Sequence, residues 1–336
     1  MSVALINKDR LTVNSAKGLS ILAVVSIHLL TLATQEQFTT HPQNLIFLSL
    51  DQVMRFCVPI FIFLSGFGLS LSYQQKPFVF KSFIKKRSFT TLPLYILWSA
   101  YYIALSIFIK PWWKVLSGWS ASQIIFNGRA DYHLYFVPVI FKLYLVFALL
   151  KKLPKKLLLP LLSLALVIKL GLYSYFTLKI PFIPDQLQHS NILVWTGYFI
   201  LGIYLASQDK FISKRSSITL IFIGLFLSVF EASKIVSSSG DIIQAIRFAK
   251  LPNFIYAIGL IGFFLTNTSK LLKNKYLAWF GQNSYLIYLA HPMPLHLLKF
   301  DLSLVPVAPT LLSYLLVIAI SILILKIKPK KSARKQ

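Results

Sequence analysis

A single cysteine and nine carboxylates are all that this 336-residue chain has of two residue types on which much enzyme chemistry rests. With Cys57 alone there is no intrachain disulfide and no thiolate metal site. The sequence has no Gly-x-Gly-x-x-Gly, no phosphate-binding glycine loop and no His-Glu-x-x-His, the usual marks of dinucleotide, P-loop and zinc-protease chemistry. Charge is scarce too. Asp, Glu, Lys and Arg make up 13% of the chain, against about a quarter in soluble proteins. No stretch is polar or long enough for an appended soluble domain, and there is no internal repeat or linker.

What is present is apolar: 56% hydrophobic residues and a mean hydropathy of +0.69. Apolar runs long enough to cross a bilayer recur along the whole length. The expected fold is therefore an all-α polytopic membrane helix bundle, a single domain over residues 1–336 with a basic tail at 326–336. Ten spans are expected, near 18–34, 45–73, 89–109, 133–150, 157–178, 191–207, 216–236, 250–267, 278–298 and 307–325. The N-terminal basic stretch and apolar run resemble a signal peptide. They lack a small-residue cleavage site and are long enough to span, so a retained first helix is expected.

A net charge of +26 invites a nucleic-acid reading, but the placement of the charge argues for a membrane. With both termini cytoplasmic, 24 of the 35 basic residues fall in inner segments and eight in or beside outer loops. This is the positive-inside bias of short loops, and it sets the expected orientation. The surplus serves insertion and anionic lipid headgroups, with some left for an anionic cytosolic ligand. No nucleic-acid partner is expected.

Lys17 and His28 lie eleven residues apart at the two ends of the first long apolar run. In a helix, that spacing is about 1100° of rotation, roughly 20° past three turns, so both side chains share one face. They are then separated by roughly 16 Å, about half a hydrocarbon core. A cation would stand at the membrane surface and an imidazole near mid-membrane. Ionisable groups at that depth mark functional paths by default; the plain alternative is a polar residue satisfied by a neighbouring helix.

Other candidates follow in chain order. Asp51 and Arg55 sit at i, i+4 in the second span, where the plain reading is an ion pair at the outer interface. Pro59 removes a backbone hydrogen bond there, and Ser65-Gly66 permits close helix packing. Lys85, Lys86 and Arg87 lead into the third span as positive-inside charge or as phosphate ligands. His133 and Tyr135 open the fourth span in an aromatic cluster, either an interfacial belt or a sugar-stacking pocket. Ser284, Tyr288 and His291 fall at i, i+4, i+7, a polar stripe that must face the bundle interior. Lys142, Lys169 and Glu231 are also embedded, without assigned roles.

Together these pieces resemble the acyltransferase-3 family of bacterial integral membrane acyltransferases. The resemblance rests on Lys17-Gly18 with His28, and on Val58-Pro59-Ile-Phe61-Ile-Phe63-Leu-Ser65-Gly66-Phe67. It continues through Lys85-Lys86-Arg87 with Pro93-Leu-Tyr95, then His133-Leu-Tyr-Phe-Val-Pro138, and finally Ser284-Tyr285-Leu-Ile-Tyr288-Leu-Ala-His291-Pro292. Many members carry Arg-x-x-Arg at the start of the third span, whereas here Arg87 is followed by Thr90. The chain looks like the short form, without the extracytoplasmic domain fused to some members. The stretches around His28 and Arg55 are similar to the branch containing the intercellular adhesion exporter or succinyltransferase.

The resemblance implies transfer of an acyl group, with acetyl expected, from cytosolic acyl-CoA to a hydroxyl of a cell-envelope carbohydrate or lipid-linked glycan. It implies no cofactor beyond that donor substrate, no metal, a bacterial cytoplasmic-membrane location and contact with polysaccharide assembly proteins. His28 would be the general base, since desolvation favours the neutral imidazole that a base for a hydroxyl must be. Lys17, Arg87 and Lys86 would hold donor phosphates. Asp51, Arg55, His133, Tyr135, Ser284, Tyr288 and His291 would line the acceptor pocket. The alternative is an exporter or accessory component of polysaccharide secretion that moves no acyl group.

Overall fold

The computed structural model describes residues 10–37, 44–108, 120–177, 191–208, 211–266, 272–298 and residue 319, and among them there is no strand. The helices run in chain order as α1 (Arg10–Gln37), α2 (Asn44–Met54), α3 (Cys57–Ser72), α4 (Phe80–Phe108) and α5 (Ala121–Asn127). They continue as α6 (Phe136–Leu150), a 3-10 turn (Lys155–Leu157), α7 (Leu158–Thr177), α8 (Ile192–Leu205) and α9 (Lys214–Ser239). The last are α10 (Ile242–Ala245), α11 (Leu251–Thr266), α12 (Lys275–Gln282), α13 (Ser284–Ala290) and α14 (Pro292–Leu298).

Among the described residues, five stretches are long and apolar enough to cross a membrane: Arg10–His28, Leu45–Ser72, Phe80–Ile107, Lys155–Ser174 and Lys214–Ser239. Helices α6, α8 and α11 are shorter and equally apolar. The first eight expected spans fall on helices, and the second and the ninth are interrupted. Span two is broken at Arg55-Phe56, ahead of Pro59. The proline lands in the first turn of α3, where its missing N–H has no intrahelical partner to lose. The expected ninth span is three short helices, since Asn283 leaves helical angles (φ −100°, ψ 6°) and Pro292 lacks the N–H that would continue the hydrogen-bond ladder. The expected tenth span, 307–325, lies outside the described residues apart from residue 319.

By its contacts the chain forms two units. One comprises the described residues within 59–224 and 248–266, and the other those within 10–58, 225–247 and 272–319. In the second unit α1 packs on α2, α12 and α13. The closeness of α1 and α12 depends on two glycines. A Cβ on Gly18 would strike the Leu277 carbonyl, and one on Gly281 would strike that of Asn14. Ser15 Oγ donates to the Asn274 carbonyl at 2.9 Å, and the Asn274 side chain caps α12 through the amides of Tyr276 and Leu277. A small core of Leu48, Ala232 and Ala245 joins α2, α9 and α10.

In the first unit α8 packs on α7 and α6, and α6 on α4. Gly66 of α3 abuts the Phe199 carbonyl of α8, the close packing expected of Ser65-Gly66. An aromatic layer of Tyr73, Phe78, Phe83 and Phe147 ties α3, α4 and α6 together at centroid distances of 5.3–6.0 Å.

Candidate functional site

Seven of the expected site residues belong to the second unit: Lys17, His28, Asp51, Arg55, Ser284, Tyr288 and His291. Lys17 and His28 lie on the one unbroken helix α1, so the shared face holds. The helix begins seven residues before Lys17, which puts Lys17 roughly 10 Å along it rather than at its end.

His28 stacks on His291, with ring centroids 5.0 Å apart and planes inclined by 26°. His28 is half-buried and His291 fully buried. His291 Nδ1 lies 2.7 Å from the Tyr288 carbonyl. A carbonyl only accepts, so this nitrogen carries the proton, and Nε2 bears the lone pair of the neutral ring. The Tyr288 ring is 6.1 Å from His291. Residues 263 positions apart in sequence thus form one imidazole pair.

Asp51 and Arg55 do form the ion pair that their spacing allows, and both are buried rather than exposed at an interface. Arg55 Nε donates to Asp51 Oδ2 at 2.7 Å and Nη2 to Oδ1 at 2.5 Å, a bidentate fork. Gln52, also buried, extends the set. Its Nε2 donates to Asp51 Oδ2 at 3.0 Å and approaches the Ala245 carbonyl at 3.5 Å, and its Oε1 accepts from Ser228 at 2.8 Å. Sequence spacing could not reach Ser228 or Ala245, which arrive from α9 and α10. Gln52 could have been found as a third polar residue beside Asp51 in an apolar span.

The remaining candidates belong to the first unit. Of the basic run, Lys85 and Lys86 are exposed and Arg87 turns partly inward. Its guanidinium carbon stands 5.7 Å from the Phe83 centroid and 5.2 Å from that of Tyr144. Its buried Nε has no hydrogen-bond partner among the described residues. Thr90, in the position of the family's second arginine, is exposed and donates to the Lys86 carbonyl at 2.9 Å. His133 is buried, with Nδ1 3.3 Å from Asp131 Oδ1 and its ring 5.2 Å from that of Tyr102. The same carboxylate oxygen accepts from the Tyr132 amide at 2.7 Å. Tyr135 is half-buried. Lys169 is buried on α7, with Nζ 3.5 Å from the Val194 carbonyl and 5.0 Å from the Tyr198 ring centroid.

Long apolar helices carrying paired imidazoles and a buried ion pair define a polytopic helical membrane protein with a polar interior. A family profile described as an acyltransferase domain matches residues 10–326, nearly the whole chain. The protein belongs to the acyltransferase-3 family, as the five sequence motifs implied, and is a membrane acyltransferase by family. Comparison with curated proteins and with solved structures gave no match.

Proposed function

We propose that the protein is an O-acyltransferase of the bacterial cytoplasmic membrane. It takes an acyl group, assigned as acetyl, from cytosolic acyl-CoA and places it on a hydroxyl of a cell-envelope carbohydrate or lipid-linked glycan. The stack of His28 on the buried His291, within the family-matched residues, is the observation that carries this reading. In the reaction His28 accepts the proton of the acceptor hydroxyl while the oxygen attacks the thioester carbonyl. The carbon–sulfur bond then breaks, the thiolate takes the proton and leaves as free CoA, and the ester remains. General-base help contributes roughly 10²–10⁴-fold, and positioning supplies much of the rest. Lys17, Arg87 and Lys86 serve the donor phosphates. Asp51, Arg55, His133, Tyr135, Ser284, Tyr288 and His291 serve the acceptor side. The bundle has ten spans with both termini in the cytoplasm.

Surface glycan quantity and acyl content are the test, read in His28→Ala and His28→Gln at matched protein levels in the membrane. A catalytic base predicts normal glycan quantity with the acyl group missing in both variants, since glutamine cannot accept a proton at neutral pH. Normal acylation in His28→Ala would refute the base assignment. Normal acylation with less surface glycan would make the protein an exporter.

A further inference from the structure

The first unit contains a cavity of about 190 Å³ that none of the expected site residues lines. Its polar lining is Ser70, Gln74, Lys151, Lys155 and Ser207. Its apolar lining is Phe147 with leucine and isoleucine side chains, and among the described residues no carboxylate contributes. The cavity sits where α3, α6 and α8 end, beside a turn carrying Lys151, Lys152, Lys155 and Lys156.

Helix C-termini carry partial negative charge and by themselves favour cations. Here three carbonyls at the ends of α3 and α8 are already occupied. Lys151 Nζ donates to the Tyr73 carbonyl at 2.9 Å, Gln74 Nε2 to Ala206 at 2.8 Å and Ser207 Oγ to Tyr204 at 2.8 Å. The bond to Tyr73 fixes the Lys151 ammonium and uses one of its three N–H groups. Lys151 and Lys155 thus bring two full positive charges to a cavity whose other lining is largely apolar. Its volume is below the roughly 300–1,000 Å³ that encloses a drug-sized ligand, so it suits one charged group rather than a whole nucleotide.

The cavity also has a neighbour. Phe147 packs on Phe83 at 5.7 Å, and the Arg87 guanidinium lies on Phe83 at 5.7 Å. Arg87 and the cavity are therefore linked through one pair of aromatic rings.

We propose that this cavity is a phosphate subsite, held by Lys151 and Lys155, for an amphiphilic phosphate compound. The compound is either the nucleotide of a CoA ester or a lipid headgroup. The nucleotide source rests on the acyl-CoA reading, and the site itself does not.

The experiment uses the full chain in neutral phosphatidylcholine nanodiscs, as wild type, K151Q/K155Q and K151R/K155R. Binding of adenosine 3′,5′-bisphosphate is measured by calorimetry, and retention of phosphatidylglycerol over phosphatidylcholine by native mass spectrometry. Thermal unfolding checks that each variant is folded, and the arginine variant keeps the charge if glutamine proves disruptive. A loss of bisphosphate affinity of roughly tenfold or more in K151Q/K155Q, restored in K151R/K155R, supports the site with a nucleotide occupant. Unchanged bisphosphate binding with phosphatidylglycerol selectivity lost in the glutamine variant supports it with a lipid occupant. Wild-type behaviour toward both probes in K151Q/K155Q overturns the proposal. Both readouts are independent of acyl transfer, so failure of the enzymatic reading leaves them interpretable.

Discussion

Replacing Asp51 by alanine should be among the most damaging single changes in this protein, and the structure says why. The carboxylate accepts from Arg55 Nε, Arg55 Nη2 and Gln52 Nε2, and the relative exposures of Asp51 and Arg55 are 0% and 3%. Asp51→Ala leaves the guanidinium buried without its counter-charge, a loss of about 3–5 kcal/mol. A typical domain holds only about 5–15 kcal/mol in total, so the variant should fold poorly. Asp51→Asn keeps an acceptor and the shape but not the charge, and should cost about 1.5–3 kcal/mol. The informative variant is the double Asp51→Leu/Arg55→Met, which removes both charges and keeps apolar volume. Exchanging a buried ion pair for packed hydrophobic residues is often neutral or stabilising. The double variant should therefore be more stable than Asp51→Ala, by about 2 kcal/mol or more. Reversible unfolding by dodecyl sulfate in mixed micelles, followed by helical circular dichroism, measures all three. A penalty within about 0.5 kcal/mol for Asp51→Ala, or a double variant no more stable than Asp51→Ala, would refute the reasoning.

Three further outcomes are expected. Arg87→Ala should raise the KM for acyl-CoA by roughly tenfold or more through a lost charge-assisted contact, whereas Lys86→Ala should do less and Thr90→Arg should leave activity intact or raise it; steady-state kinetics on membranes decides. Gly281→Leu should abolish stable expression, and even Gly281→Ala should destabilise by about 1–3 kcal/mol, because any Cβ there meets the Asn14 carbonyl; thermal unfolding of the purified protein checks it. Reporter fusions after Arg87, Lys156, Arg215, Lys275 and Gln336 should report the cytoplasm and fusions near Pro42 and Asp185 the outside. An outward C-terminus would show that the number of spans is odd.

Helices α1, α4, α7 and α9 were legible because each is a long apolar run that no other structure could carry through a bilayer. The shared face of Lys17 and His28 followed from the helical period alone. The family, too, could be read from motifs in register, and the profile match over residues 10–326 agrees with it. The ninth span was misjudged as one helix, since hydropathy responds to composition and not to the backbone angles of Asn283 or the missing N–H of Pro292. Thr90 could be seen to differ from arginine, but its exposure and its bond to the Lys86 carbonyl could not.

What the sequence determined by itself was therefore one-dimensional: which segments are apolar and which residues share a helix face. Pairings across the chain needed the tertiary structure. His28 meets His291 because Gly18 and Gly281 let α1 and α12 approach to backbone contact, and α13 follows α12 directly. Gln52 meets Ser228 because α9 delivers a small hydroxyl to α2. Lys151 and Lys155 read as ordinary positive-inside charge until three helix ends enclosed a cavity beside them. Periodicity describes one element at a time, whereas a site is made where side chains from distant elements share the same small volume, and only packing decides which ones those are.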